Sequence, residues 1–491
     1  MHRTLKVASF LALLAAIVVA VDLAVRADVA LPAADEARTY RDRRDRLLAE
    51  LARAAVSARG ERAEGPLGTV VVLARAGKAP EGEHDTDFRQ ESDFYYLTGI
   101  VEPGAAVVLS WNMDARPERP RGAPQGWQST GVSHQALYLP AREPRRVRWE
   151  GEPLHKGTPG IERLRFDEVH DADVLGDALA AALAGASKPV RLFTASGRFD
   201  GPGDLPAGVK VESFRRATAA LRLVKDAGEI ALLRRAIDIT SLALCEAMRS
   251  CEPGWNEYRL EATIEYVFRR EGAERCGFPS IVGSGPNSCV LHYSKNRRAM
   301  RAGDLVVCDV GAEYGRYTAD VTRTFPVSGK FTARQREVYE AVLAAQEAGI
   351  AAVRPGATVA EVHAAAQAVL KQRGLDRYFF HGTSHWLGLD VHDVGAYATK
   401  LAPGMVLTVE PGAYIADEEL GVRIEDDVLV TEDGHEVLSK GAPRHPADIE
   451  ALMSERGVGN LEPRPFGPLA PVGPKAEPEP APGPRRPRRL F

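Results

Sequence analysis

Short apolar runs bounded by glycine, proline and charged residues recur through the first 215 residues and predict β-strands there. The predicted strands are Thr69 to Ala74, Phe94 to Gly99, Ala105 to Trp111, Ala136 to Leu139 and Val190 to Thr194. Tyr40 to Arg53 shows the apolar spacing of a helix, and Ala172 to Leu183 is rich in alanine and leucine. Strands mixed with helices predict an α/β unit that ends near residue 215.

Longer amphipathic stretches dominate the rest of the chain. The predicted helices are Arg222 to Met248, Tyr258 to Arg270, Thr332 to Val353 and Thr358 to Arg373. Two β-rich segments accompany them, Leu305 to Phe325 and Met405 to Val430. Each is divided by a turn or a polar loop, so each is predicted to form a hairpin.

The first hairpin, LVVCDVGAEYGRYTADVTRTF, carries two aspartates. If Tyr314 and Gly315 form the centre of its turn, Asp309 lies directly opposite Asp320. Directly opposed side chains have Cβ atoms about 4.5–5.5 Å apart, and like charges there are destabilising. A bound metal ion would remove that penalty. The alternative is a different register, with one aspartate in a turn or on the surface.

The second hairpin carries two glutamates, one in LTVEPG and one in VRIEDD. A polar loop from Ala416 to Gly421 places Glu410 opposite Glu425. Two hairpins therefore each bring a pair of carboxylates together at an inward face, where their repulsion needs compensation.

Histidines concentrate in HGTSHWLGLDVHDVG, which holds His381, His385 and His392 out of twelve histidines in the chain. Its glycines disfavour a continuous helix, so the segment is predicted to be loop and strand with three candidate ligands or proton carriers. The Gly- and Ser-rich segment PSIVGSGPNSCVLHY brings His292 near the first hairpin. Taken alone, His292 is more typical of a structural histidine.

Composition is that of a soluble enzyme of two or three domains. The chain has 491 residues, 26% of them charged, and a formal charge of −4. No basic field favours a nucleic-acid partner. The five cysteines are odd in number and form no CxxC pair, so they are predicted to be small buried apolar residues.

The two ends differ from the rest. His2, Arg3 and Lys6 precede an apolar run, Val7 to Val21, that is shorter than the roughly 20 residues of a membrane span. Residues 1–30 are predicted to be an export signal, which makes the protein periplasmic or secreted. The alternatives are a membrane anchor, transient membrane contact or a cytoplasmic leader. Residues 456–491 are Pro-rich with a basic finish and are predicted to be a disordered, solvated tail, with contact to anionic lipid as the alternative.

Several of these phrases resemble one enzyme family. RQESDFYYLTG (89–99) resembles the N-terminal domain of aminopeptidase P and its prolidase relatives, and HGTSHWLGLDVHDVG with TVEPGAYI and VRIEDD resembles the "pita-bread" metallopeptidases. The likeness is greatest to aminopeptidase P, then to prolidase. It implies an α/β (α+β) protein with an N-terminal domain at 36–215. A catalytic domain at 216–455 would hold a curved antiparallel sheet flanked by helices.

The resemblance also implies roles. Asp309 would bind one metal ion, Asp320 and Glu425 would bridge two, and His385 and Glu410 would complete the second. The positions that relatives use to hold substrate and stabilise the transition state are His292, His381, His392 and Arg423. Four carboxylates and one imidazole suit two divalent ions, with Mn²⁺ foremost and Co²⁺, Fe²⁺ or Zn²⁺ as alternatives.

The expected activity is release of the N-terminal residue from peptides with proline in the second position, by a hydroxide activated between two metal ions. Glu410 would take the proton from the water and pass it to the leaving nitrogen. An Xaa-Pro dipeptidase (prolidase) is the first alternative, because it would share every metal ligand. A non-catalytic peptide-binding scaffold is the second, and the intact ligand set argues against it. A homo-oligomer is expected.

Overall fold

The computed structural model describes residues 34–58, 66–78, 88–115 and 131–460. Its α-helices are α1 Ala34–Ser57, α2 Ser92–Thr98, α3 Pro144–Glu150, α4 Leu175–Gly185, α5 Arg215–Leu223, α6 Ala227–Ser250, α7 Glu257–Arg270, α8 Ala333–Ala352, α9 Val359–Gln372 and α10 Pro446–Leu452. Its strands are β1 Thr69–Arg75, β2 Ala106–Asn112, β3 Val132–Leu139, β4 Glu168–Asp171, β5 Val190–Thr194, β6 Lys210–Ser213, β7 Arg275–Cys276, β8 Ile281–Ser284, β9 Leu305–Val310, β10 Ala312–Tyr314, β11 Tyr317–Thr318, β12 Val321–Pro326, β13 Val406–Val409, β14 Gly412–Ile415, β15 Leu420–Arg423, β16 Asp426–Val430 and β17 His435–Val437.

The first half of the chain builds a six-stranded mixed sheet in the order β4-β3-β2-β1-β5-β6. The central strand β1 pairs antiparallel with β2 and parallel with β5. Helix α1 packs Leu47 and Leu48, both fully buried, into the core that includes Val70 and Val72 of β1. Burial of apolar residues between helix and sheet is what stabilises this unit.

Two predictions of secondary structure in this region are wrong. Phe94 to Gly99 is not a strand but most of helix α2. Glu91 caps its N-terminus by accepting from the Phe94 amide at 2.7 Å, and Gly99 ends it with φ of 68°. The helix predicted from Arg222 to Met248 is interrupted, because Asp226 begins a new helix with Glu229 in a capping box.

The second half contains small antiparallel sheets covered by long helices. The sheets have the strand orders β12-β9-β8, β11-β10-β7, β13-β16-β17 and β14-β15. Strands β9 and β12 are buried along their whole length against residues of helices α6 to α9. Helices α8 and α9 each begin with a capping box, formed by Thr332 with Gln335 and by Thr358 with Glu361.

The structure contradicts the predicted register of the first hairpin and confirms that of the second. In the first, Asp309 faces Thr322 and not Asp320, because the turn is centred on Gly315 and Arg316, with φ of 56° and 71°. That shift of two residues keeps every side chain on its predicted face. The predicted register of the second hairpin is confirmed, since Val409 pairs with Asp426 and Gly412 with Arg423, on either side of positions 410 and 425.

The chain ends lie mostly outside the described residues. The predicted export signal at 1–30 lies outside them, and so does 461–491 of the predicted tail. Gly459 and Asn460 hydrogen-bond to Ser250 at the end of α6, and the described residues continue to 460. Among the described helices, none has the length and apolar character needed to cross a membrane.

Candidate metal centre and active-site cavity

A cavity of about 1120 Å³ in the second half of the chain brings all nine predicted site residues together. Its polar wall includes His292, Asp309, Asp320, His381, His385, His392, Glu410, Arg423 and Glu425. These residues come from segments up to 133 positions apart in sequence, so only the tertiary fold makes them neighbours. Their individual roles remain predictions.

Three of them form a compact set of metal-binding atoms. One donor atom from each of Asp320, His385 and Glu425 lies within 4.8 Å of the other two. The Nε2 atom of His385 is 3.3 Å from Asp320 Oδ2 and 3.6 Å from Glu410 Oε1. Its Nδ1 atom is 3.1 Å from the carbonyl oxygen of Trp386, so Nδ1 is assigned a hydrogen that it donates to this oxygen, and Nε2 faces the carboxylates.

The electrostatics of the cluster fit bound cations. Asp309 Oδ1 and Asp320 Oδ1 are buried and have no hydrogen-bond partner among the described residues. Burial and neighbouring carboxylates raise the pKa values of Asp320 and Glu425 well above their usual range. Buried carboxylates without compensation are costly. A hard, oxygen-rich donor set whose negative charge is incompletely compensated fits divalent metal ions.

Arg423 supplies part of the compensation. Its Nη2 atom donates to Asp309 Oδ2 at 2.5 Å, its Nε atom to Thr322 Oγ1 at 3.1 Å and its Nη1 atom to the Tyr414 hydroxyl at 3.0 Å. One guanidinium therefore offsets only some of the charge of four carboxylates. The remaining negative charge can be compensated by metal ions.

Sequence reasoning missed Thr322 and Tyr414. Thr322 Oγ1 donates to Glu425 Oε2 at 2.6 Å, and the only signal in the sequence was the β-branched pattern of its strand. Tyr414 lies in the phrase TVEPGAYI, where it could have been read as one more apolar strand residue. Thr322 and Tyr414 hydrogen-bond to predicted site residues, Glu425 and His381, that are distant from them in sequence. A local sequence pattern does not indicate such contacts.

Two histidines are held neutral by their surroundings. His381 Nδ1 is 2.8 Å from the Gly382 carbonyl, and Nε2 is 2.9 Å from the Tyr414 hydroxyl, which donates to it. Burial and the charge of Arg423 lower the pKa of His381 to about 4. Burial and His385, whose ring centroid is 4.4 Å away, also lower the pKa of His392. Neutral imidazoles can donate or accept a hydrogen bond at a substrate amide.

Apolar and aromatic residues line much of the rest of the cavity, with a few polar side chains among them; the apolar and aromatic residues include Val359, Phe379, Phe380 and Tyr397. Phe380 is 62% exposed and Tyr397 is 54% exposed, so both stand at the rim. The cavity therefore joins a charged floor to an apolar, solvent-facing mouth, an arrangement suited to a peptide.

Comparison with known proteins decides the family. Residues 231–432 match the description "Metallopeptidase family M24" and residues 40–191 match "Aminopeptidase P, N-terminal domain". The Xaa-Pro aminopeptidase of Escherichia coli K12 is 38% identical over 422 residues, which cover 76% of this chain and 92% of that protein. The chain belongs to metallopeptidase family M24. The Xaa-Pro aminopeptidase of Haemophilus influenzae is 33% identical, over 79% of this chain and 94% of its own length.

Solved structures agree with this placement in M24. Aminopeptidase P from E. coli with the inhibitor Pro-Leu is 34% identical and superposes with a TM-score of 0.71, over 85% of this chain and 98% of that chain. Proline aminopeptidase P II from Yersinia pestis is 33% identical and superposes with a TM-score of 0.71, over 85% of this chain and 99% of that chain. The predicted family, the mixed α/β fold with its pita-bread catalytic domain and the class of enzyme, a metallo-aminopeptidase, are confirmed. The prolidase alternative is not favoured.

Proposed function

We propose that this M24 metallo-aminopeptidase releases the N-terminal residue from peptides that carry proline in the second position. The observation that carries the proposal is the cluster of Asp309, Asp320, His385, Glu410 and Glu425 at the floor of a peptide-sized cavity. All but Glu410 are buried, and the carboxylates are incompletely compensated. The substrate class follows from the relatives, two of which bear the name Xaa-Pro aminopeptidase.

Those five side chains would hold two divalent ions, and we propose manganese. Four carboxylates and one imidazole are harder donors than the thiolates of structural zinc sites, which favours Mn²⁺ among the candidates. When bound, a pair of such ions supplies Lewis acidity that lowers the pKa of a water molecule and polarises a carbonyl group.

Glu410 is proposed as the proton carrier. Its Oε1 atom lies 3.6 Å from His385 Nε2 and 3.5 Å from Thr408 Oγ1, and burial raises its pKa. A carboxylate with a raised pKa accepts a proton from water and returns it to the departing nitrogen more readily than an exposed one does.

Neutral His392 would donate a hydrogen bond to a peptide carbonyl group, while His381, whose two ring nitrogens already bond to Gly382 and Tyr414, would shape the cavity wall beside the substrate. Arg423 would keep Asp309 oriented through the 2.5 Å contact. An amide bond to proline has no N–H group. A site that recognises substrate through metals and imidazoles does not require that hydrogen, which is consistent with the proposed preference.

Length preference separates the proposed aminopeptidase from a prolidase. The exposed rim residues Phe380 and Tyr397 support a cavity that accepts a continuing chain. The test compares kcat/KM for Xaa-Pro with that for Xaa-Pro-Yaa-Zaa, using protein loaded with Mn²⁺ and protein stripped by a chelator. We expect metal-dependent cleavage that favours the longer peptide.

Two results would contradict the proposal. A preference of about a hundredfold for the bare dipeptide would make the protein a prolidase, because a closed site with a cation for the free carboxylate rejects longer peptides. Equal, negligible hydrolysis by loaded and stripped protein would remove the proposed peptidase activity itself.

A further inference from the structure

Asp390 lies between His385 and His392 in residues 385–393, named here the histidine loop, yet it does not line the cavity. Its carboxylate accepts three hydrogen bonds. Ser92 Oγ donates at 2.7 Å and Arg89 Nη1 at 3.3 Å to one oxygen, and Arg222 Nη2 donates at 2.8 Å to the other. None of these three donors belongs to the segments that supply the predicted metal ligands.

Arg222 extends the contact in two directions. Its side chain is only 3% exposed; Nη1 donates to Asp93 at 2.9 Å, and Nη2 also donates to Asp393. Asp93 belongs to helix α2 in the first half of the chain. A forked guanidinium is suited to bridging several carboxylates at once. Arg222 thus connects α2 to both Asp390 and Asp393 of the histidine loop.

Arg89 makes a second connection. It donates through Nε to Glu313 at 2.7 Å and through Nη2 to the carbonyl oxygen of Leu389. The polar residues before the aromatic run of RQESDFYYLTG therefore have a physical role, because Arg89, Ser92 and Asp93 all point at the histidine loop or at its anchor.

The loop itself is closed around Asp393. The Asp393 amide donates to the Trp386 carbonyl at 2.9 Å, and a side chain at Gly388 would approach Asp393 Oδ2 to 2.1 Å. His385 has separate support, since its amide donates to Thr408 Oγ1 at 3.1 Å and its carbonyl accepts from the Thr408 amide at 3.0 Å. His392 instead lies directly between the anchored residues Asp390 and Asp393 in sequence.

We infer that Asp390 is a positioning residue that ties the orientation of His392 to the N-terminal half of the protein through Arg89, Ser92 and Arg222. Asp390 thereby controls how His392 faces the substrate. The position of His385 at the predicted metal centre depends largely on Thr408 instead. The inference rests on the proposed function, because its kinetic readout is Xaa-Pro peptide hydrolysis.

The test uses Asp390→Asn and Arg89→Gln. Both side chains are partly exposed, at 38% and 26%, and Asp93 and Asp393 still compensate Arg222 in either variant. The matched control is Arg215→Ala, which removes a cation 3.9 Å from Asp93. The Arg215 side chain is 61% exposed, and within the described part of the chain it forms no ion pair with the histidine loop. Thermal unfolding checks that all three variants fold.

Both test variants should lose about 10- to 100-fold in kcat/KM, because a misplacement of about 1 Å costs up to about a hundredfold. Mn²⁺ affinity, measured by calorimetric titration, should stay within about threefold of wild type, a difference of at most about 0.7 kcal/mol. Amide hydrogen exchange in peptides covering 386–393 should rise. The Arg215→Ala control should change none of these.

The inference is overturned if kcat/KM is unchanged in both variants, or if its loss only follows weaker Mn²⁺ binding or a lower Tm. If wild-type protein cleaves no Xaa-Pro peptide, the proposed function fails first. Hydrogen exchange then decides the inference, and unchanged exchange in Asp390→Asn would refute it.

Discussion

Replacing Thr322 with valine removes one hydroxyl from beneath the metal centre while preserving shape. Thr322 is fully buried in β12, where its Oγ1 donates to Glu425 Oε2 at 2.6 Å and accepts from Arg423 Nε at 3.1 Å. The change therefore takes the donor from a buried carboxylate and leaves a guanidinium N–H without its acceptor. Both lost contacts involve a charged group.

A hydrogen bond to a charged group contributes about 1.5–3 kcal/mol, because the unpaired group stays buried. Since about 1.4 kcal/mol is a factor of ten, Mn²⁺ affinity should fall about 10- to 150-fold. The pH dependence of this loss of affinity follows from competition between protons and the metal ion. Without its donor the ionised form of Glu425 is less favoured, so protons compete better with the metal and the loss should grow as the pH falls.

Calorimetric titration with Mn²⁺ measures the effect, and two variants of the same strand control it. Thr324→Val removes an equally buried hydroxyl whose hydrogen bonds, among the residues described, are to the backbone of Arg423, at 2.8 Å and 3.1 Å. It should lower Tm and leave Mn²⁺ affinity nearly unchanged. Thr322→Ser should retain most of the affinity. If Thr322→Val binds Mn²⁺ as wild type does, or if Thr324→Val loses as much, the reasoning is refuted.

Two further predictions concern the predicted ligands themselves. Glu410→Gln should keep most of its metal yet lose about 10²–10⁴-fold in kcat, because proton transfer is removed, whereas Asp320→Asn should lose metal as well. Elemental analysis beside kcat separates them, and mild, equal effects would contradict both roles. Burial and mutual repulsion raise the pKa values of Asp320 and Glu425, so the folded metal-free protein retains protons that the unfolded chain releases above about pH 4. The stability from these groups is lost as pH rises, so the increase in Tm on adding Mn²⁺ should grow between acid and neutral pH; a constant increase would count against it.

The hairpins that hold the carboxylates could be predicted from sequence, because β-branched residues and turn residues mark them locally. The second register was right since its polar loop admits few centres. The first was two residues off because Arg316 adopts a positive φ that its residue type does not signal. The error did not change which side chains are predicted to face the site, since a register shift of two residues preserves the faces of both strands.

The surroundings of the ligands could not be predicted in this way. Thr322 and Glu425 are 103 positions apart, and Asp390 and Ser92 are 298 apart. A hydrogen bond over such a separation leaves no periodicity in either segment. The misassigned helix α2 has the same cause: Phe94, Tyr96 and Leu97 are all fully buried, and burial on most sides removes the polar face that distinguishes a short helix from a strand.

The placement of three predicted ligands at breaks in the strands explains how distant segments converge. Asp320, Glu410 and Glu425 fall between paired segments, so their backbone amides are free of the hairpin ladders. Each amide instead bonds to another ligand-bearing segment: Asp320 to Asp427 Oδ2 at 3.1 Å, Glu410 to the Thr383 carbonyl at 2.8 Å and Glu425 to the Thr322 carbonyl at 3.1 Å. Since buried amides must find acceptors, each break joins two segments that sequence keeps apart. The interruptions in the two hairpins therefore hold the predicted metal centre together.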